Sequence, residues 1–276
     1  MLIKETDYKP VKGFEIAKTY LGKALWTTHF YLVGKTLIDN AAPNAAASLS
    51  AIVDRYKPEV ALVTHHHEDH SGNTGLLAEG RRVPVFGSPL TVEALAKPLY
   101  QAPFQRIVWG RQAPAQIGEL KEPLTHNGYT FEPIAAPGHS HDMTVFWEPN
   151  HGWLFSGDLF LASNIKYFRE DEDFAQTKAS LEKVVNLDFE ALFCGHNPKP
   201  KNGKRLLRRK LEYMLELEGK ALLLRQKGMA VAEITHALLG REGLFPFLSS
   251  GRMAKRNLID SILESAGETS TRGSHE

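Results

Sequence analysis

Apolar positions change their spacing along this chain, and the change divides it. In the first half, short runs rich in branched and aromatic residues alternate with segments of helical composition. Trp26 to Val33 and Thr36 to Ile38 meet at Gly34-Lys35 and predict a hairpin, and Ala45 to Tyr56 predicts a helix that stops before Pro58. Val60 to Thr64 reads as a buried strand, Ser71 to Glu79 as a helix, Val83 to Phe86 as a short strand and Thr91 to Tyr100 as another helix. Three later apolar runs each lead into a glycine and then a potential metal ligand. They are Phe131 to Ala136 before Gly138-His139, Trp153 to Phe155 before Gly157-Asp158, and Ala191 to Phe193 before Gly195-His196. Glycine has no Cβ, so the backbone there can turn sharply and deliver the next side chain close to an ion.

After Pro200 the strand signal disappears. Lys204 to Gln226, Ala230 to Leu239 and Arg252 to Glu264 predict helices, separated by Gly240, Gly243, Pro246 and Gly251. A boundary near residue 200 is therefore expected, with a catalytic domain over 1–200 and a helical extension over 201–276.

Composition narrows the partners. The 276 residues are 42% apolar and 24% charged with a formal net charge of +1, so no global charge excess points to nucleic acid or a membrane. No apolar run approaches the roughly 18 residues of a spanning helix, and the charged N-terminus has no apolar leader core. Cys194, alone, excludes an intramolecular disulfide and suits a reducing compartment. The expected location is the cytoplasm. The polar segment from Gly267 to Glu276 is expected to fray.

The densest chemistry lies at residues 64–73, Thr-His-His-His-Glu-Asp-His-Ser-Gly-Asn, where His65, His67, Asp69 and His70 fall within six positions behind an apolar strand. Imidazoles and a carboxylate this close crowd one another unless a cation holds them, and borderline metals such as zinc accept such N and O donors. His139, Asp158 and His196 complete a set of seven candidates. His29, His126, His151 and His236 read as ordinary surface or core residues, His66 as pointing away from the ligands, and His141 as a candidate to support one of them.

The ordered pattern His65-x-His67-x-Asp69-His70, then His139, Asp158 and His196, resembles the metallo-β-lactamase-fold hydrolases over roughly residues 14 to 200, including Leu37-Ile38-Asp39. The resemblance implies an α/β fold of four layers, αββα, here with a small helical C-terminal extension. It assigns His65, His67 and His139 to one metal, Asp69, His70 and His196 to another, and Asp158 to a bridge between them. Two divalent ions are implied, zinc first, with manganese or iron as alternatives. Such a pair lowers the pKa of water from about 15.7 toward 7, which predicts hydrolysis by a metal-bound hydroxide that Asp69 orients and whose proton it handles.

The substrate stays open at this point. Penicillin-degrading relatives commonly carry cysteine at the position of Asp158, which discounts β-lactams. Glyoxalase II, acyl-homoserine lactonases and related thioesterases share the ligand set, but many read Gly-His-Thr-x-Gly-His where this chain has Gly138-His139-Ser140-His141-Asp142-Met143. A small molecule with an ester, thioester or lactone bond is the favoured target. Two alternatives remain. Gly195-His196-Asn197-Pro198, a basic helix and Met253 to Leu258 resemble the β-lactamase-like endoribonucleases with their small winged-helix-like unit. Seven cations and no acid lie from Lys199 to Lys210 (Lys199, Lys201, Lys204, Arg205, Arg208, Arg209, Lys210), enough to hold RNA phosphates, although a solvated helix face fits the same run. Persulfide dioxygenases, with one iron, resemble the fold as well. Candidate walls of a substrate cleft are Phe160, Asn164, Tyr167 and Phe168, and the stretch Leu99 to Gln116 with Phe104 and Trp109; of these Tyr167 and Trp109 are the substrate-binding candidates. Arg169 to Asp173 is expected to bring acids to the first turn of the next helix.

Overall fold

The structure, a computed structural model, describes residues 2–20, 23–249 and 251–267. Strands β1 (Leu2–Asp7), β2 (Lys12–Tyr20), β3 (Lys23–Val33), β4 (Thr36–Ile38), β5 (Val60–Leu62), β6 (Val85–Gly87) and β7 (Gly118–Glu119) form one sheet in chain order. Pairing is antiparallel as far as β4 and parallel from β4 to β7. Helices α1 (Ala46–Tyr56), α2 (Glu68–Ser71), α3 (Pro89–Leu95) and α4 (Pro103–Trp109) lie in the crossovers that parallel pairing requires. The second sheet holds β8 (Leu124–His126), β9 (Tyr129–Ala135), β10 (Thr144–Glu148), β11 (Trp153–Gly157) and, after β12 (Phe168–Arg169) and α5 (Phe174–Val184), β13 (Ala191–Cys194). Their order is β13-β11-β10-β9-β8. The chain ends in α6 (Gly203–Gln226), α7 (Val231–Leu239), α8 (Phe245–Leu248), β14 (Met253–Ala254) and α9 (Lys255–Ser265).

Period-two alternation builds the layers. On β3 to β5, Phe30, Leu32, Leu37 and Ala61 face Leu49, Ile52 and Val53 of α1, while Tyr31, Val33, Ile38 and Leu62 face the other sheet. There they meet Phe131, Phe146, Phe155 and Phe193. The opposite face of the second sheet turns Val145, Leu154, Leu192 and Cys194 toward α5, α6, α7 and α9. Three apolar layers thus separate four structural ones, the αββα arrangement. Leu154 is fully buried, so Leu154→Ala is expected to cost about 2–5 kcal/mol. The same apolar layer runs without interruption from Leu181 and Leu192 to Leu207, Ile234 and Leu258, across residue 200.

Several elements differ from expectation. The helix predicted over Ser71 to Glu79 starts earlier, at Glu68, breaks after Ser71 and resumes as a wide turn at Leu76–Gly80. Side chains compete with its backbone: Ser71 Oγ donates to His66 and His67 carbonyls, and Asn73 Nδ2 donates to those of Asn40, Ala41 and Ala42. Helix α3 ends at Leu95, short of Tyr100 and ahead of Pro98. Beyond residue 200 the chain does contain a strand, β14, which pairs Ala254 with Phe168 of β12; two residues are too few to show a period.

Direction of the strands sets where the candidate ligands go. Strands β11 and β13 are parallel, and β9 runs the same way because both it and β11 are antiparallel to β10. The glycines after these three strands therefore open at one edge of the sandwich, where Thr144 N also donates to Thr64 O of the histidine loop.

Candidate metal centre

Four strand ends supply seven side chains to this edge. His65 and His67 follow β5, Asp69 and His70 sit on the single turn of α2, and His139, Asp158 and His196 follow β9, β11 and β13. Close approach at Gly195 is obligatory: a Cβ there would stand 2.3 Å from His70 Cε1 and 2.6 Å from Asp158 Oδ1. Gly157 has φ of +48°, and a Cβ on it would press within 2.9 Å of Thr64 Oγ1.

The nitrogens converge. His67 Nδ1 lies 3.0 Å from both His65 Nε2 and His139 Nε2. On the other side, His196 Nε2 lies 3.3 Å from Asp69 Oδ2, and His70 Nε2 lies 3.8 Å from it. Asp158 touches both groups, with Oδ1 3.2 Å from His70 Nε2 and Oδ2 3.2 Å from His196 Nε2 and 3.4 Å from His139 Nε2.

Partners behind the rings set their tautomers. His70 Nδ1 donates to Asp39 Oδ2 at 2.7 Å, His139 Nδ1 to Glu172 Oε1 at 3.1 Å, and His196 Nδ1 to the Thr27 carbonyl at 2.6 Å. Thr64 Oγ1 donates to Asp39, so it accepts from His65 Nδ1 at 3.0 Å. In each of these four histidines the far nitrogen carries a proton, which leaves the near nitrogen as the one that can face a metal. His70 Nε2 and Asp158 Oδ1 are buried 3.2 Å apart, and neither makes a hydrogen bond among the described residues. Unpaired groups of this kind are costly in a protein interior, and a cation among the converging lone pairs removes that cost. The donor set of imidazoles and carboxylates suits a divalent metal of the zinc class.

Charge agrees with this. Burial, reinforced by neighbouring cationic groups, holds His65 and His67 well below the usual imidazole pKa, so both are neutral donors. Burial acts the same way on His70 and His196, but Asp158 and Asp69 overcome it and push both well above the ordinary value. Burial likewise raises Asp158 and Asp69, and the adjoining His70 and His196 more than offset it, keeping both carboxyls below their usual range. The pocket already gathers positive charge around these two carboxylates.

Asp39, Thr64, Glu172 and the Thr27 carbonyl are supporting groups that reading the residues in order did not assign. Of Arg169 to Asp173, only Asp173 serves the following helix, its Oδ1 accepting Gln176 N at 2.9 Å. Asp171 binds Arg169, Glu170 binds Arg252, and Glu172 turns to His139. The expected cleft walls also divide. Phe160 and Phe168 are core residues, Tyr167 packs with Lys255 Nζ 5.5 Å from its ring centre, and Trp109 is half-buried at the end of α4. His126 and His151 pair with Glu59 and Glu148. His66 turns from the ligands onto Asp142, and His141 is exposed beside His66 rather than behind a ligand.

The basic run after His196 does not form one face. Lys210 is buried, because Leu207, Lys210, Met214, Leu217 and Ala221 share the inward stripe of α6, and its Nζ donates to Leu159 O at 2.6 Å. Burial drives its pKa down to about 8. Lys204, Arg205 and Arg208 line a groove with Asn150, Gly152, Asp188 and Glu190. That groove adjoins the start of β11, about 16 Å from Asp158 at roughly 3.3 Å per strand residue.

A family model described as the metallo-beta-lactamase superfamily matches residues 27–196. A hydroxyacylglutathione hydrolase from Halorhodospira halophila is 31% identical over 166 residues, 58% of this chain and 56% of that protein. The Beta-lactamase-like protein 2 homolog of Caenorhabditis elegans is 25% identical over 184 residues, 62% of this chain and 56% of that one. The chain thus spans about half the length of these curated relatives. A solved structure of a beta-lactamase domain protein from Burkholderia ambifaria superposes with a TM-score of 0.69 at 18% identity, covering 96% of this chain and 90% of that one, a likeness of fold. No helix among the described residues is long and apolar enough to cross a membrane.

Proposed function

The chain belongs to the metallo-β-lactamase superfamily, and from that premise we propose that it is a dinuclear metal-dependent hydrolase of small molecules carrying an ester, thioester or lactone bond. The observation that carries this reading is the position of Asp158, whose carboxylate lies within 3.4 Å of ring nitrogens from both ligand groups. His65, His67 and His139 would hold one ion, Asp69, His70 and His196 the other, and Asp158 would touch both; zinc fits these donors best. Bound there, two divalent cations supply an ionised water at neutral pH and Lewis-acid polarisation of the group under attack.

The chain's own residues do the rest. Asp69 Oδ2 faces the interior of the site, and the neighbouring histidines keep it ionised. It can therefore orient the attacking water, accept its proton and return that proton to the leaving group. Asp39 and Glu172 fix the rings of His70 and His139, so no ligand has to reorganise as charge develops. Thioesters stand first among the substrates, because several relatives are hydroxyacylglutathione hydrolases and a hydroxyacylglutathione is a thioester. Met143 is buried in the core, which marks a departure from the many relatives with histidine at this place.

The test is a metal-replete activity screen over thioester, ester, lactone, phosphodiester and RNA substrates, with chelated protein and Asp158→Asn as controls. Turnover of a thioester, ester or lactone that both controls abolish is expected. Cleavage of RNA alone, or one iron per chain with oxygen consumption, would overturn the proposal.

A further inference from the structure

Beside the seven converging side chains lies a second group that the hydrolytic chemistry does not use. Asp142 is buried between the loops that carry His67 and His139. Its Oδ2 accepts His66 N at 2.8 Å and its Oδ1 accepts His66 Nδ1 at 2.7 Å. The carboxyl is held below its usual range, since the pairing with His66 outweighs the opposing effect of burial. With Nδ1 committed as donor, His66 keeps its lone pair on Nε2, directed away from Asp142. His141, exposed on the neighbouring loop, brings its ring centre to 5.4 Å from that of His66 at an interplanar angle of 41°. Potential ligand atoms of His66, His141 and Asp142 all lie within 4.8 Å of one another.

A carboxylate bonded to one nitrogen of an imidazole, with the other nitrogen free and a second imidazole beside it, is the arrangement that prepares histidine to bind a transition metal. Both oxygens of Asp142 are occupied by His66, so its part is to orient. We propose that His66 and His141 form an outlying site for a borderline divalent cation of the zinc class, open to water for its remaining positions, and that a cation held there inhibits the enzyme. The ring of His66 stands 4.7 Å from that of His67, so the added charge sits at the flank of the catalytic centre. It opposes the approach of a second positive charge and changes the field at His67. Affinity follows the usual order for nitrogen donors, with copper(II) held more tightly than zinc. Counting this ion as the third rests on the dinuclear reading; the site itself does not.

The experiment equilibrates purified holoprotein in zinc buffers from nanomolar to high micromolar free Zn²⁺, and reads bound zinc by elemental analysis and turnover in parallel. Wild-type protein is expected to rise from two to three zinc ions per chain and to lose activity over the same range. His141→Ala should keep two ions and basal turnover, stop short of the third, and move the inhibition midpoint upward by about tenfold or more, a loss of at least 1.4 kcal/mol of binding. His66→Gln should also lose the third ion. Copper(II) added to zinc-loaded wild type should give a two-nitrogen electron paramagnetic resonance signal that His141→Ala lacks. Equal zinc uptake and unchanged inhibition in His141→Ala overturn the site. Wild-type protein holding one ion at low zinc overturns the dinuclear reading instead, while a difference of one ion between wild type and His141→Ala still supports the site.

Discussion

The two ends of β11 both carry dense charge, and they carry it differently. At one end Asp158 and Asp69 lie with His70, His139 and His196 in a largely buried pocket, with oxygens and ring nitrogens 3.2–3.8 Å apart. At the other end Lys204, Arg205 and Arg208 share an open groove with Asp188 and Glu190, and Arg205 and Arg208 are exposed. Solvent screens the second set and cannot screen the first. A run of charges in sequence is therefore weak evidence of a site. Charges that the fold buries together, each fixed from behind and left open in front, are strong evidence.

Experiments can break this contrast, and the largest effect is expected at Asp158. Asp158→Asn should lower turnover on the order of 10²–10³-fold or more and reduce metal content measured after dialysis. Asp69→Asn should cost about 10²-fold or more in turnover while the thermal midpoint barely moves; near-normal rates in metal-replete protein would remove Asp69 from its role. Behind the ligands, Asp39→Ala should weaken metal binding toward the upper part of an expected range of about 10–100-fold, and Glu172→Gln toward the lower part. Asp39 holds Thr64 as well as His70, whereas Glu172 makes one bond to His139. Competition with a chromogenic chelator measures both.

Lys210 sharpens the comparison because it shares α6 with the exposed cations yet is buried, its Nζ donating to Leu159 O. Its folded pKa of about 8 lies below the unfolded value of 10.5. The penalty for burying its charge is complete below pH 8 and fades as pH rises toward 10.5. Relative to Lys210→Met, wild-type stability should therefore rise between pH 8 and pH 9.5 by up to about 2 kcal/mol, at 1.36 kcal/mol per pKa unit, in urea titrations. Cys194, pushed up to about 11 by burial, works in the opposite sense, but it is common to both proteins and cancels. The smallest effect belongs to the exposed groove: replacing Lys204, Arg205 and Arg208 together by alanine should change kcat/KM on small substrates less than about twofold, because screened surface charges contribute little. A large loss on an RNA substrate alone would restore a nucleic-acid role to that end.

Much of the architecture was legible because its signals are local. His65-x-His67-x-Asp69-His70 is a spacing within one turn, and Gly138, Gly157 and Gly195 each mark a strand end that must come close to something. Lys210 was legible in principle, since helical spacing from Leu207 to Ala221 places it inward; counting it with its basic neighbours hid that. Glu172 was hidden among five charged residues that look like one helix-capping run and turn out to divide among four separate interactions. Strands β1 and β2 were missed because their polar residues obscure any simple apolar run.

Residue types and their spacing by themselves determined that this chain alternates strands with helices, that glycines deliver histidine and aspartate side chains from strand ends, and that these side chains make a set able to hold a metal ion. Only the tertiary structure decided which groups stand behind those ligands. Asp39 lies 31 residues from His70, Glu172 lies 33 from His139, and Thr27 lies 169 from His196. Hydrogen bonds across such distances depend on which strand ends and loops the fold brings together, within a sheet for Asp39 and between the sheets for Thr27, and side-chain spacing along one strand carries no information about that. The same holds for burial: Lys210 and Arg208 are two residues apart, and only the packing of α6 against the second sheet makes one a buried cation and the other a solvated one.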